Sequence, residues 1–571
     1  MRPISLAGCL SFLAVAAVAQ SATPARQPAG DGPALPLKRA ATPTTAAITA
    51  TDLMSRLYPY ADDSMMGREA GSEANLRATQ FIANEVQRLG LKPAGDSGTY
   101  FQSVPLIARA FDQKTALTLG TNALKAGVDY VARDQGPSTR SIDGVPVIFA
   151  GAWGDPQMLP PEQGVGKLVI VGAPRVAQQN APSWFVPRAQ VNVRYRGAAG
   201  IALVTFDQMP EQVRQSFAEP LILMKTESPP NTQPLPTYIY LTNATARAIL
   251  GVASDSAAVG RAGQSLRGTV IFSETARPAR NVVAILPGTD STVAGEYVAL
   301  GAHNDHVGYN HSPVDHDSLR AFNTQLRAMA IATPQQPMTP ERMAQIRVNV
   351  DSLHRLRPAR VDSIYNGADD DGSGSMSLLE IAEAFAKERA GKPRRSLVFV
   401  WHTAEELGLY GSQYFTDHPT VPRDSIVAQL NMDMIGRGAK GEEALGGPTY
   451  LQLIGSRRLS TELGEMVEQV NHRQTLPFSI DYQYDAAGHP EQYYCRSDHY
   501  MYARYGIPIV FFSTGDHQDY HQVTDEPQYI DYEHMRRVAQ LIHDVAVSVA
   551  NLDHRVVVDK PKPDPHGQCQ Q

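Results

Sequence analysis

Tyr297-Val298-Ala299-Leu300-Gly301-Ala302-His303-Asn304-Asp305-His306 sets an apolar run directly against a polar tip. Such a run reads as a buried strand that stops where polar chemistry begins. The pattern recurs downstream. Leu397–Trp401 leads into Thr403-Ala404-Glu405-Glu406-Leu407-Gly408, and Ile426–Asn431 into Met432-Asp433-Met434-Ile435-Gly436. Ile509–Ser513 leads into a loop that reaches Asp519-Tyr520-His521. A fifth segment, Gly367-Ala368-Asp369-Asp370-Asp371-Gly372-Ser373-Gly374, precedes a predicted helix over Ser375–Arg389. Val282–Leu286 and Tyr450–Ile454 are further strand candidates, and Tyr532–Ala550 a further helix. Apolar strands alternating with amphipathic helices predict an α/β fold whose sheet is covered on both faces. In such folds ligands gather at the carboxyl ends of the strands, where these segments fall.

The segments carry a coherent set of donors. A rigid strand aims His303, and Asp305 can orient its other ring nitrogen, as metal-bound histidines require. Among Asp369, Asp370 and Asp371, one carboxylate can bridge two metal ions at the positive end of the following helix. Glu405 and Glu406 are adjacent and point in different directions, so one can bind metal while the other accepts a proton. Asp433 follows its strand directly. His521 shares its loop with His517, an alternative ligand, and with Tyr520, whose phenol can sit near the metals. Together this is the inventory for holding two zinc ions around one activated water.

Working outward, 571 residues imply two or more domains, and 43% hydrophobic content supplies sizeable cores. The formal charge is −7 with no long basic run, so nucleic acid is not an expected partner. Residues 1–19 read as an export signal, with Arg2, the apolar stretch Leu6–Ala19 and the small-residue site Ala17-Val18-Ala19. The stretch is too short to span a membrane, and no transmembrane segment is expected later in the chain. Too little apolar sequence precedes Cys9 for lipoprotein anchoring, so a periplasmic or secreted location is expected. Cys495 and Cys569 remain after cleavage, as one disulfide or as two free thiols.

Residues 20–50 are expected to be a flexible leader. Ser72 should cap a helix that ends at Gly90, and Tyr100–Ile107 reads as a strand. Residues 126–275 change texture. Short strands at Val145–Phe149, Leu168–Val171 and Gly200–Phe206, with one obvious helix around Ala189–Arg196, predict a small inserted β-rich domain. Residues 311–365 form a polar, partly helical insertion, expected beside or over the cleft. Residues 556–571 read as a disordered, Pro-rich tail.

The five segments together resemble the secreted co-catalytic zinc aminopeptidase family, which includes glutamate carboxypeptidases and plasma dipeptidases. Gly67-Arg68 and Gly90-Leu91-Lys92-Pro93 extend the likeness, and place a catalytic domain at 51–125 and 276–555. The 126–275 segment is similar to a protease-associated domain in Gly166-Lys167-Leu168-Val169-Ile170-Val171 and Gly197-Ala198-Ala199-Gly200-Ile201-Ala202-Leu203-Val204. The resemblance implies a three-layer α/β/α zinc-exopeptidase core with a mixed, mainly parallel sheet. It also implies two Zn2+ per chain and peptide substrates. By this likeness His303 and Asp433 would each hold one zinc, with Asp370 bridging to the other, and Glu406 and His521 would complete the second site. Glu405 would be the general base and Tyr520 would stabilise the oxyanion. Asp371 would follow a strained peptide, which can be cis, and Asp305 and Asp498 would support the ligands from behind.

An aminopeptidase is the first expectation. A carboxypeptidase or dipeptidase would use the same metals plus a cationic clamp, for which Arg437, Arg496 and Arg504 stand near the motifs. A single-zinc glutaminyl cyclase and a catalytically inactive, receptor-like binding protein share the fold. The full donor set argues against both, and no oligomeric state is assigned.

Overall fold

Alternation along two strands shows how the main sheet is covered. In Ser396–His402, Leu397, Phe399 and Trp401 enter one buried cluster and Val398 and Val400 another. In Tyr297–His303, Val298, Leu300 and Ala302 join the first and Ala299 the second. Successive strand side chains point to opposite faces, so a sheet apolar on both needs helices on both. Helices Ala50–Tyr60, Glu73–Arg88, Gly374–Lys387, Thr461–His472 and Tyr532–Ala550 supply the first cluster. Tyr410–Asp417 and His499–Ala503 supply the second. The result is the expected three-layer α/β/α arrangement.

This computed structural model describes residues 35–133, 139–175, 184–225, 234–387 and 392–571. The expected export signal, Cys9 and the leader up to residue 34 lie outside the described residues. The chain forms two compact units, Pro105–Arg277 and a second built from the segments up to Val104 and from Pro278 to Gln571.

In the second unit the sheet order is Lys92–Pro93, Arg280–Leu286, Ser396–His402, Tyr297–His303, Ile426–Met432, Ile509–Ser513, Tyr450–Ile454, Ser479–Asp481. The strands Ser396–His402, Tyr297–His303, Ile426–Met432 and Ile509–Ser513 are parallel neighbours, with His303 opposite His402 and Met432 opposite Phe512. Their carboxyl ends therefore share one edge of the sheet. The insertion is closed by a ribbon pairing Tyr309–Asp315 with Val361–Ile364, and its longest helix is His316–Ala332.

The Pro105–Arg277 unit differs from its sequence reading. Its six-stranded sheet runs Ala262–Gly263, Val147–Ala152, Leu168–Gly172, Gly200–Val204, Thr237–Leu241, Tyr130–Ala132, and the middle four strands are parallel. One helix was expected, and it is present as Arg188–Arg194; Glu211–Ser216 and Asn243–Leu250 are additional. The helix Asn243–Leu250 announces itself through Thr242, whose hydroxyl accepts the Thr245 N–H as an N-cap. Residues 105–125, assigned from sequence to the catalytic domain, belong to this unit. The strand expected over Tyr100–Ile107 is cut at Pro105, which has no N–H to give a ladder. Phe101–Ser103 pairs with Arg280–Val282, while Leu106–Phe111 pairs with Phe272–Arg277.

Two segments expected to be loose are tied down. Along the described part of the leader, Pro36 O accepts the Tyr58 hydroxyl at 2.6 Å and Thr44 donates to Glu383 at 2.6 Å. Ile48 is buried in the core cluster and Leu35 packs against it. Residues 556–571 form no helix or strand, yet Cys569 is disulfide-bonded to Cys495. The Gln571 side chain accepts the Tyr494 N–H and donates to Tyr484 O, both at 2.9 Å. Composition suggested disorder; a covalent tie overrides it.

Cys495 immediately precedes Arg496, Ser497 and Asp498, so the bond also steadies a site-facing segment. Cross-linking across 74 residues restricts the unfolded chain. Cys569→Ser should lower stability by about 2–4 kcal/mol, read as an earlier denaturant midpoint, and dithiothreitol should shift the wild type equally.

Candidate metal centre

The shared sheet edge brings the expected residues together. His303 ends its strand, Glu405 and Glu406 follow Ser396–His402, and Asp433 follows Ile426–Met432. His521 arrives on the loop after Ile509–Ser513. Asp370 comes from the turn Ala368–Ser373 that opens the helix Gly374–Lys387.

Asp370 stands at the centre. Its Oδ1 lies 3.1 Å from His303 Nε2, which is 3.6 Å from Asp433 Oδ1. Its Oδ2 lies 3.0 Å from His521 Nε2, which is 3.0 Å from Glu406 Oε2. Two donor groups result: His306, Asp370, Glu406 and His521, and His303, Asp371 and Asp433. Glu405 belongs to neither.

His306 was quoted with the motif but given no role. It lies 2.8 Å from Glu406 Oε1 and 3.7 Å from Asp370 Oδ2 through Nδ1. The available signal was its three-residue spacing from His303 at a strand end. Its ring packs on the turn at Gly367, whose φ is +57°. A Cβ there would meet Asp370 O at 2.4 Å and the His306 ring at 2.6 Å, so only glycine fits. The buried Arg68 guanidinium holds the same turn, donating to Asn366 O at 2.6 Å and Gly367 O at 2.7 Å.

Hydrogen bonds orient the donors. His303 Nδ1–H donates to Asp305 O at 3.1 Å, which turns its Nε2 lone pair toward the carboxylates. The Asp305 carboxylate, expected in that role, is 3.7 Å away and accepts the Glu405 N–H at 3.1 Å. Asp371 follows a cis peptide and accepts the N–H groups of His303, Gly374 and Met434. Ser497 donates to Asp433 Oδ2 at 2.8 Å and receives the Asn431 amide. Asp525, unmarked by any motif, accepts the N–H groups of Asp369 and Asp370.

Other expected residues fall nearby with different contacts. Asp498 is buried 3.3 Å from His402 Nδ1, one strand over from His303. His517 pairs with Asp369 at 3.2 Å and joins neither donor group. The Tyr520 ring stacks on His521 at 4.0 Å, and its hydroxyl is 3.5 Å from Arg496 Nη2.

Electrostatics follow from packing acids and imidazoles out of water. Burial would lower His303, but Asp433, Asp305 and Asp370 raise it well above its ordinary value. Burial likewise opposes charge on His521, yet Glu406 and Asp370 raise it to about 11. Burial and Asp370 push Glu406 upward, and His521 and His306 outweigh them, bringing it to about 2. For Glu405 burial dominates, reinforced by Asp433, Glu406 and Asp498, and the carboxyl is held well above the usual range. Burial, with Asp370 and Glu406, pushes the Tyr520 phenol up, so it remains a donor.

Three buried atoms of the facing donors make no hydrogen bond: His303 Nε2, His521 Nε2 and Asp433 Oδ1. Buried polar atoms are normally paired. Unpaired imidazole nitrogens and carboxylate oxygens that face one another are the donor chemistry of zinc.

Comparison with known proteins places this site in context. Residues 281–546 match the model for Peptidase family M28. Leucine aminopeptidase 1 of Ajellomyces capsulatus is 30% identical over 211 residues, covering 36% of this chain and 51% of that protein. Leucine aminopeptidase 1 of Coccidioides posadasii is 30% identical over 200 residues, covering 34% and 48%. The chain thus spans about half the length of the curated relatives it matches. Among solved structures, an aminopeptidase from Aneurinibacillus sp. strain AM-1 aligns over 90% of this chain and 97% of its own, with 15% identity and TM-score 0.47. A zinc aminopeptidase from Bacillus subtilis aligns over 90% and 100%, with 14% identity and TM-score 0.46.

The imidazole shifts give a linkage prediction. Raised folded-state values stabilise the metal-free protein below the ordinary histidine value, and for His521 this is lost as pH climbs toward about 11. Zinc must displace these protons, so its affinity should rise with pH. Titration calorimetry at pH 7 in buffers of different ionisation enthalpy should show net proton release as zinc binds. Buffer-independent heats would contradict this.

Proposed function

We propose that the chain is an exported zinc metallo-exopeptidase, most simply an aminopeptidase removing N-terminal residues from peptides. The observation that carries the reading is Asp370, whose two oxygens face two separate donor groups while Glu405 stands outside both. His303 and Asp433 would hold one zinc ion, and Glu406 and His521 the other, with Asp370 between them and His306 steadying Glu406. The disulfide fits an oxidising compartment. Residues 126–275 serve in this reading as a protease-associated accessory domain.

Zinc bound there lowers the pKa of water toward neutrality and polarises a peptide carbonyl. The protein's own residues do the rest. Glu405, buried and pushed to hold protons, takes one from the attacking water and later gives it to the departing amine. Tyr520 keeps its hydroxyl proton and donates it as a hydrogen bond to the oxyanion. Asp371 and Asp525 hold the backbone around Asp370, and Ser497 fixes Asp433.

One observation supports the carboxypeptidase or dipeptidase alternative. Arg437 is paired with Glu442 and Asp519, and Arg504 with Asp417, but Arg496 borders the Tyr520 hydroxyl. A guanidinium there could receive a terminal carboxylate.

Glu405→Ala should lower kcat by about 10²–10⁴-fold with zinc content unchanged by elemental analysis. Amino-acid p-nitroanilides should be cut, their N-acetylated forms should not, and chelator should abolish turnover. A strict requirement for a free carboxylate would instead establish the alternative.

A further inference from the structure

The insertion between the His303 strand and the Asp370 turn carries one cationic stripe. On the helix His316–Ala332, residues His316, Arg320 and Arg327 share a face, since four- and seven-residue steps nearly complete whole turns. All three reach the region around the loop that bears His521. Arg327 donates to Asp516 O at 2.7 Å, Glu442 O at 2.6 Å and Glu443 Oε1 at 2.8 Å. Arg320 lies 3.3 Å from Asp519 Oδ2, with its guanidinium 3.6 Å over the Tyr529 ring. His316 Nε2 is 2.8 Å from Glu526 Oε2, and Arg360, at the return strand, pairs with the same carboxylate.

These contacts bracket His521 on both sides, at Asp516 and Asp519 before it and at Glu526 and Tyr529 after it. His521 itself has φ of +54°, in the left-handed region. A non-glycine residue is uncommon there and persists only where its surroundings over-determine it. The core supplies part of that support through Arg437 and Thr524 on Asp519 and through the Asp525 carboxylate. None of these core contacts reaches Asp516 O or the Glu526 carboxylate, which are held by the insertion.

We propose that the insertion is a brace for the His521 loop, and that Arg320 and Arg327 are positioning residues that set the affinity of the His521 half of the metal site. The inference rests on the two-zinc reading above. The brace acts on one ion: the His303 and Asp433 side receives no contact from the stripe, so its affinity stays as it is.

The test is zinc competition against a chromophoric chelator, on the full chain. Wild type should bind two ions. R320A/R327A should retain one at wild-type affinity and bind the other about 10-fold or more weakly, the usual scale for supporting partners of metal ligands. His521→Ala should weaken the same ion, which identifies the site. Arg342→Ala should behave as wild type, because Arg342 bonds only within the insertion, to Gln336 O, Pro337 O and Thr333. If circular dichroism shows the double variant unfolded, Arg320→Ala alone carries the test, with a smaller loss at the same site. Two unchanged affinities in a folded variant, or equal weakening of both, overturn the brace. A wild type that binds fewer than two ions sinks the two-zinc reading and the brace together.

Discussion

A single buried carboxylate fixes the geometry on which the rest of the site depends. Asp370 can face two imidazoles at once only because its turn is held from three directions. Asp525 receives its backbone N–H, Arg68 takes the carbonyls at Asn366 and Gly367, and Asp371 ties the next residue to the His303 strand. Gly374 must also lack a side chain, since a Cβ there would lie 2.3 Å from Asp371 Oδ1. Each restraint is ordinary; together they leave the carboxylate one orientation.

That orientation has an electrostatic consequence. The two donor groups contain four carboxylates, Asp370, Asp371, Glu406 and Asp433, in a water-poor setting. Burying such charge uncompensated costs several kcal/mol per ion. In the metal-free protein the compensation comes from protons, which is why His303 and His521 are both raised. Two dications would balance four carboxylates and release those protons. Affinity for metal and displacement of protons are then one property of the same packing, and Glu405 lies outside both groups, which is what recommends it for the proton transfer proposed above.

The strands of the main sheet and the polar residues at their ends were legible because each is local. An apolar run followed by His303, Glu405 or Asp433 states both an element and its end. What the sequence hid was long-range. Asp525 lies far along the chain from Asp369, and no pattern marks it as the group that receives two of that turn's N–H bonds. His306 was visible but ambiguous, since a histidine at a strand end is commonly a surface residue. The Pro105–Arg277 unit was under-read for another reason: its helix Asn243–Leu250 is short, and strand texture dominated the stretch. The C-terminal tail was misread because composition reports local preference, whereas the Cys495–Cys569 bond and the Gln571 contacts are tertiary.

The placement of arginine bears on which end of a peptide the cleft takes. Three guanidiniums adjoin the motifs, and the structure treats them differently. Arg437 is buried between Glu442 and Asp519, so its charge is consumed in holding the His521 loop. Arg504 is bound by Asp417, among the helices on the outer face of the sheet. Of the three, Arg496 borders Tyr520, and its charge is shared among Tyr520, Asp516 and Glu491, the last 3.5 Å away and half exposed. A pair that long and open holds the guanidinium weakly. It stands beside Tyr520, the phenol that the proposed mechanism assigns to the oxyanion. A reacting carbonyl under Tyr520 would therefore also face the Arg496 guanidinium, whose charge suits a developing oxyanion. A substrate's terminal carboxylate would meet the same guanidinium, so Arg496 serves the carbonyl in one reading and the carboxylate in the other.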